Sequence, residues 1–449
     1  MCTAGYIIIA VALVVFVQAQ NVYPQLLLGR LLFSIGGAAV STMVTAVLPV
    51  VTGGRPNFQE EEPESRDDAP SSRLAGFVGM CAGSGALISL VIFLPLPARF
   101  QQLGLSPSEA IQYSYYVVAA VAVVVSVCCS IGLRNLPGED GKAWTSLWNT
   151  SRAGSEQLEV NKSSYSTILK SKLPYIGQLG SAMALVFHNR DILIGYLGGF
   201  IARASSVGIS LFIPLFVNNY YRTSGLCVEQ SMDGTTPGDI KHSCPKAYVL
   251  ASILTGVSQL IALIAAPAFG YLSARSQRYH LPLLIACLTG VVGYLVLALL
   301  PNPEFRGEKG NPAVFVVMAL IGISQIGAIV CSLSVLSNGV LNMASEAKDH
   351  STSSEAGDRN TTSEVDEQRP LLNTPASQKQ GQTSNLKGSI AGVYSLFGGA
   401  GILLLTKLGG LLFDVLSSSA PFYIMAAFNG VLLLVGVVSG LVVYSKANQ

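Results

Sequence analysis

Long apolar runs alternate with short polar ones along almost the whole chain. The apolar runs fall at approximately 5–20, 24–51, 74–97, 112–133, 191–218, 247–273, 280–300, 312–341, 388–415 and 420–444, each bounded by charges, Pro or Asn. A helix needs about 20 mostly apolar residues to cross the hydrocarbon of a bilayer. Because no water reaches its backbone there, every polar group must be bonded inside the helix. The pattern therefore predicts an all-α polytopic membrane protein with about ten spans. Two long polar stretches interrupt it, at 134–190 and 344–387. They organise the chain into a partial N-terminal half of four spans (1–133), a linker (134–190) and a C-terminal half of six spans (191–445). The stretch 1–20 runs from Met1 straight into apolar sequence and reads as a span rather than a cleaved secretory signal.

Composition agrees. Half of the 449 residues are hydrophobic and 12% are charged, with a mean hydropathy of +0.51, against about 25% charge in a soluble domain. The net charge of +2 says little about partners, and nothing in the sequence is a nucleic-acid-binding pattern. Basic residues in loops orient the spans, since cytosolic loops are enriched in Lys and Arg. With the linker placed in the cytosol, the short turn with Arg275 and Arg278 falls on the same side, and the opposite side keeps few basic residues, Arg99 and Arg222 among them.

Three stretches carry a family resemblance. Gly29-Arg30-Leu31-Leu32-Phe33-Ser34-Ile35-Gly36-Gly37-Ala38-Ala39 places an Arg ahead of a small-residue stripe; Gly270-Tyr271-Leu272-Ser273-Ala274-Arg275-Ser276-Gln277-Arg278 is a short basic turn between spans; Leu408-Gly409-Gly410-Leu411-Leu412-Phe413-Asp414 is followed by Ala420-Pro421-Phe422. These resemble the fourth helix, the turn between helices eight and nine, and the junction of helices eleven and twelve in the major facilitator superfamily, and the resemblance covers nearly the whole chain. It implies a major facilitator-type helical bundle that moves a small-molecule solute, with possible proton or ion coupling. Ala274 stands where the family usually has Asp, which removes a charge lock from that turn. On this alignment the first span corresponds to the family's third, so the chain reads as a twelve-helix carrier lacking its first two helices, a truncated gene product or splice form.

Charges inside spans need a reason, since each costs at least about 2.5 kcal/mol to insert at mid-membrane. Arg203 lies near the middle of 191–218. It could hold an anionic solute group or a partner carboxylate, or be tied to carbonyls and hydroxyls of neighbouring helices. Lys407 could contact solute or snorkel to the outer interface. Arg30 resembles the fourth-helix Arg that the family associates with proton coupling; the alternative is a positioning contact near the outer mouth. Asp414, about two turns after Lys407, is expected to cap the last two spans. Apart from Asp191 and Asp414 at span ends, the ten apolar runs contain no Asp or Glu. A cavity with basic rather than acidic candidates favours a neutral or anionic solute over a cation. Gly76, Gly79, Gly83 and Gly85 resemble the fifth-helix glycine run of exchangers in the family, but Ser84 replaces its Pro, and the same spacing suits any tight helix pair. The four histidines are not placed for a metal or catalysis, and no Walker loop, zinc set or hydrolase constellation is present. The chain is read as no enzyme, with no cofactor.

The loops add sorting and redox chemistry. Cys227 and Cys244 lie in the loop 219–246, opposite the cytosol, where an oxidising lumen would permit a disulfide. The polar stretch 344–387 is expected to be disordered, and within it Glu367 precedes Leu371-Leu372 as in an acidic dileucine signal read by sorting adaptors. The acidic tether 52–73 suggests no partner. The stretch 164–187 reads as an interfacial helix or a plain linker. The combined expectation is a secondary active transporter in the vacuolar or lysosomal membrane, with the plasma membrane as second choice. The alternative is a non-transporting receptor or regulator that keeps the fold.

Overall fold

A computed structural model describes residues 2–53, 70–133, 175–225, 245–276, 280–300, 302–305, 310–356 and 376–447. Cys227, Cys244, Arg278, Glu367, Leu371, Leu372 and most of the acidic tether lie outside the described residues.

The apolar runs are helical as their composition requires. The elements are α1 (Cys2–Gln18), α2 (Leu27–Gly53), α3 (Pro70–Ile88), α4 (Leu96–Gln102), α5 (Pro107–Gly132), α6 (Tyr175–His188), α7 (Arg190–Val207), α8 (Ile213–Thr223), α9 (Pro245–Arg275), α10 (Leu281–Leu299), α11 (Ala313–Ala356), α12 (Ala376–Leu404), α13 (Gly410–Val415) and α14 (Ala420–Ala447). π-Helical turns at Val22–Leu26, Ser89–Phe93, Gly208–Phe212 and Leu405–Gly409 continue or lead into neighbouring helices without breaking the spans. Among the described residues nine stretches are long and apolar enough to cross a membrane, and Cys2–Gln18 is a shorter apolar helix beside them. The chain is an integral, multi-pass membrane protein.

Local signals set several helix starts. Ser106 accepts from the Glu109 amide while the Glu109 side chain accepts from the Ser106 amide, a capping box with Pro107 in the first turn of α5. The Asn189 side chain accepts from the amides of Asp191 and Ile192, which separates α6 from α7 without a loop.

One expectation is corrected. The stretch 344–387 is not irregular throughout, because α11 continues to Ala356 and α12 starts at Ala376. Between Met343 and Ala356 the sequence has no Gly or Pro, and the first helix breaker is Gly357. Polarity alone does not end a helix once a long apolar segment has nucleated it.

In the N-terminal half α1 packs on α2 and α5, whereas α3 lies chiefly against α9 and α11 of the C-terminal half. In the C-terminal half α7, α9 and α10 pack around α11, whose residues 330–337 are buried, while α12 and α14 pack on α7 and α14 also on α10. Two apolar clusters result. The one nearer the linker includes Leu48 and Ala75 from the N-terminal half alongside Ile192, Tyr196, Val330 and Leu336. The one toward the other end of the bundle, around Phe212, Tyr294, Met318 and Phe422, is built of C-terminal-half residues alone. Contact between the halves is thus concentrated toward the linker end.

Candidate functional site

The seam between the halves is formed where α2 meets α12 and α11, and α3 meets α9 and α11, with the Arg203–Ser41 bond linking α7 to α2. It is closest where side chains vanish. A Cβ built on Gly76 of α3 would sit 2.7 Å from the Gly270 Cα of α9, and the reverse holds equally. Farther along the pair, a Cβ on Gly83 would meet the Leu263 Cα at 3.1 Å. With no hydrophobic drive between helices in lipid, close backbone approach supplies the attraction through van der Waals contact. Gly76, Gly83 and Gly270 therefore join the halves. Gly36 does a different job, since a Cβ there would sit 2.8 Å from the Gly5 carbonyl oxygen of α1, and Gly37 faces open space.

Polar groups cross the same seam. At the linker end Ser71 donates to Asn338, the Ser72 and Ser334 hydroxyls share a hydrogen at 2.5 Å, and Ser273 donates to Ser334 at 2.9 Å. These three helices, α3, α9 and α11, are held by hydroxyls and one amide. Midway along the bundle Arg203 of α7 donates through Nη2 to Ser41 Oγ of α2, and beside it Thr42 donates to Ser395 of α12 at 2.9 Å. Arg203 stands about 20 Å along the helix from Arg190, at the depth the sequence indicated.

The surroundings of Arg203 are specific. Its stem lies over Gly398, where a Cβ would sit 2.8 Å from the Arg203 Cγ. One turn back, a Cβ on Gly199 would collide with the Tyr394 ring, whose hydroxyl shares a hydrogen with Ser332 at 3.1 Å. Arg203, Ser206 and Ser210 are spaced three and seven apart, so they share one face of α7 and its π-helical continuation. Arg203 and Ser210 are exposed along that face and Ser206 is half-buried. The Gln325 amide donates to Ser206 and the Gln259 amide to Gln325, both at 3.2 Å, extending the polar strip onto α11 and α9.

Beyond Ser41, toward the start of α2, most side chains are exposed, Leu27, Leu28, Leu31 and Ile35 among them; so are Leu403, Leu404, Leu408 and Leu411 on the facing end of α12 and its continuation. Arg30 and Lys407 lie on these same two helical stretches. Both are exposed, and neither side chain has a hydrogen-bond or ion-pair partner among the described residues. The structure therefore brings Arg203 to the seam, while Arg30 and Lys407 are exposed on the parts of α2 and of the turn after α12 that lie away from the linker end.

Asp414 does not cap a helix. It is exposed, and the junction is closed by backbone bonds instead, from the Ser417 amide to Leu412 and from the Ala420 amide to Ser417. Arg275 is exposed in the last turn of α9, and Ala274 is buried, where an Asp would have been desolvated. His280 gains a partner: its Nε2 lies 3.3 Å from Asp191 Oδ1, linking the start of α10 to the start of α7. Sequence reading missed this pair because the two residues are far apart in the chain. It also missed Ser41, Gln259, Gln325 and Tyr394, whose polarity inside spans was the available signal.

A partly open cavity of about 60 Å³ lies at the linker end between Asp191, His280, Ser273, Ser334 and Asn338. Solute pockets are typically about 300–1,000 Å³, so this space suits a few waters, and the open seam at Arg203 is the candidate solute site. Among the described residues no group of His, Cys, Asp and Glu is arranged to hold a metal.

A family model described as Major Facilitator Superfamily matches residues 1–347. No curated protein matches the chain. Among solved structures it is similar to one described as the crystal structure of a POT family transporter in complex with 5-aminolevulinic acid, at 14% identity, covering 98% of this chain and 81% of that one, with a TM-score of 0.45. That likeness is too distant to bear on the site.

Proposed function

From the premise that the chain belongs to the Major Facilitator Superfamily, a family of transporters rather than enzymes, we propose that it is a secondary active transporter of a small solute by alternating access, with the solute bound in the seam at the level of Arg203. The observation that carries this reading is the uneven seam. The described hydrogen bonds between the halves run from the Ser71–Asn338 pair to the Arg203–Ser41 pair, and the walls beyond are exposed. A site at mid-depth, with the described bonds between the halves confined to one side of it, suits rocking of two halves about a fixed site. Arg203 contacts both halves, bonding Ser41 and packing on Gly398, so it would sense their relative position. Arg30 is the candidate for coupling to protons or another ion.

The orientation with the linker in the cytosol gives lumen-side opening for this state. The dileucine-like Glu367, Leu371 and Leu372 on that cytosolic side support sorting to a vacuolar or lysosomal membrane, and the same topology puts Cys227 and Cys244 in an oxidising lumen. The test is thermal stabilisation of the purified full chain by sugars, amino acids, peptides and drugs, followed by uptake of stabilising compounds into proteoliposomes. At least one compound should stabilise and be taken up; none doing so overturns the reading.

A further inference from the structure

Among the described residues Arg203 has no carboxylate partner. In the stretches that cross the membrane the only acidic residues are Glu109, Asp191 and Asp414. All three lie at span ends: Glu109 is bonded in its capping box, Asp191 faces His280, and Asp414 is exposed at the far end of α13. Arg203 meets a hydroxyl instead, and its guanidinium carries five N–H donors of which the Ser41 bond uses one. A fixed cation in a span is expensive and persists where a water-filled pathway or a bound counter-ion relieves it. Of its hydroxyl neighbours, Thr42, Ser206 and Ser210 already donate to Ser395 and to the carbonyls of Ala202 and Ser206, which leaves the hydrogens of Ser41 and Ser395 uncommitted among the described residues.

Resting on the transport reading, we propose that the solute carries a carboxylate or phosphate group that docks on Arg203. A planar guanidinium fork matches both anions with two parallel bonds, and the stem is held in place by the Gly398 surface beneath it. Two further cations reinforce the choice. Arg30 and Lys407, exposed on α2 and on the turn after α12, add positive charge on the side of Arg203 away from the linker, which favours anions there. A cationic solute would meet three like charges there and no carboxylate. A neutral solute would leave the Arg203 charge uncompensated.

The test uses the purified full chain and matched pairs: succinate against succinamide, lactate against lactamide, and glucose 6-phosphate against glucose, with inorganic phosphate and an alkyl diamine as further arms. The readouts are thermal shift and proteoliposome uptake. At least one anion should stabilise the chain while its uncharged partner does not, and the arm that responds separates carboxylate from phosphate. R203Q should weaken that anion about tenfold to a hundredfold, and R203K should recover part of the loss. The comparison of charged with uncharged partners on the unmodified chain stands even if R203Q does not fold. Stabilisation by a neutral partner or the diamine without any anion, or unchanged anion binding in folded R203Q, overturns the anionic assignment while transport stands. Silence across every arm overturns both.

Discussion

Gly76 of α3 and Gly270 of α9 meet so closely that neither can carry a side chain without displacing the other's backbone. This contact brings the two halves together near the linker. In a bilayer it works because the alternative partner, lipid, cannot approach a helix backbone as tightly as another glycine can.

Gly76→Leu or Gly270→Leu should therefore separate the helices at this point. Forcing bulk into a packed contact costs about 1–3 kcal/mol, so both variants should melt earlier in detergent than the unmodified chain. Gly37→Leu, at a position that faces open space, is the control and should leave the melting temperature nearly unchanged.

Ser334 collects two hydroxyl bonds, from Ser72 of α3 and Ser273 of α9. Ser334→Ala should weaken closure at the linker end and shift the population toward opening there. The readout is a cysteine placed at Ala75, which is fully buried. Its labelling by a charged thiol reagent should rise several-fold over the same reporter with Ser334 intact, and equal labelling would mean the hydroxyl ladder does not hold the closure.

Ser205 and Tyr294 share a hydrogen at 2.5 Å between α7 and α10, and both are buried. Hydrogen bonds between membrane helices average about 0.6 kcal/mol and reach about 1.7, because the separated helices find other partners. A double-mutant cycle with Ser205→Ala and Tyr294→Phe should give a coupling energy in that range. A value near zero would mean that Ser205 satisfies itself on its own helix.

Leu371→Ala with Leu372→Ala should move a fluorescently tagged chain from the vacuolar or lysosomal membrane toward the cell surface without changing its melting temperature. Unchanged localisation would show that these residues are not a sorting signal.

Much of the fold was legible in the sequence because the bilayer imposes a length and polarity on every span that no tertiary context can override. The runs at 191–218, 247–273 and 420–444 match described helices closely for this reason. The extension of α11 to Ala356 was not legible, because beyond the hydrocarbon polarity no longer reports on helicity; propensity and the distance to the next breaker decide. Arg203 could be picked out from its charge alone, since a cation in a span is costly enough to require a purpose.

By itself the sequence determined that this chain lives in a membrane, roughly where it crosses, and which few charges are carried inside. The tertiary structure alone decided what those charges meet. Whether Arg203 faced a carboxylate, a carbonyl or a hydroxyl depended on which residue of α2 came opposite it, and the structure puts Ser41 there while Gly398 makes room for the Arg203 stem. Likewise Asp191 found His280, while Asp414, equally apt as a cap in sequence, found no partner among the described residues. Span boundaries arise from one-dimensional solvation, which a window of residues records. Partnerships between spans arise from packing of several helices at once, which no single window contains.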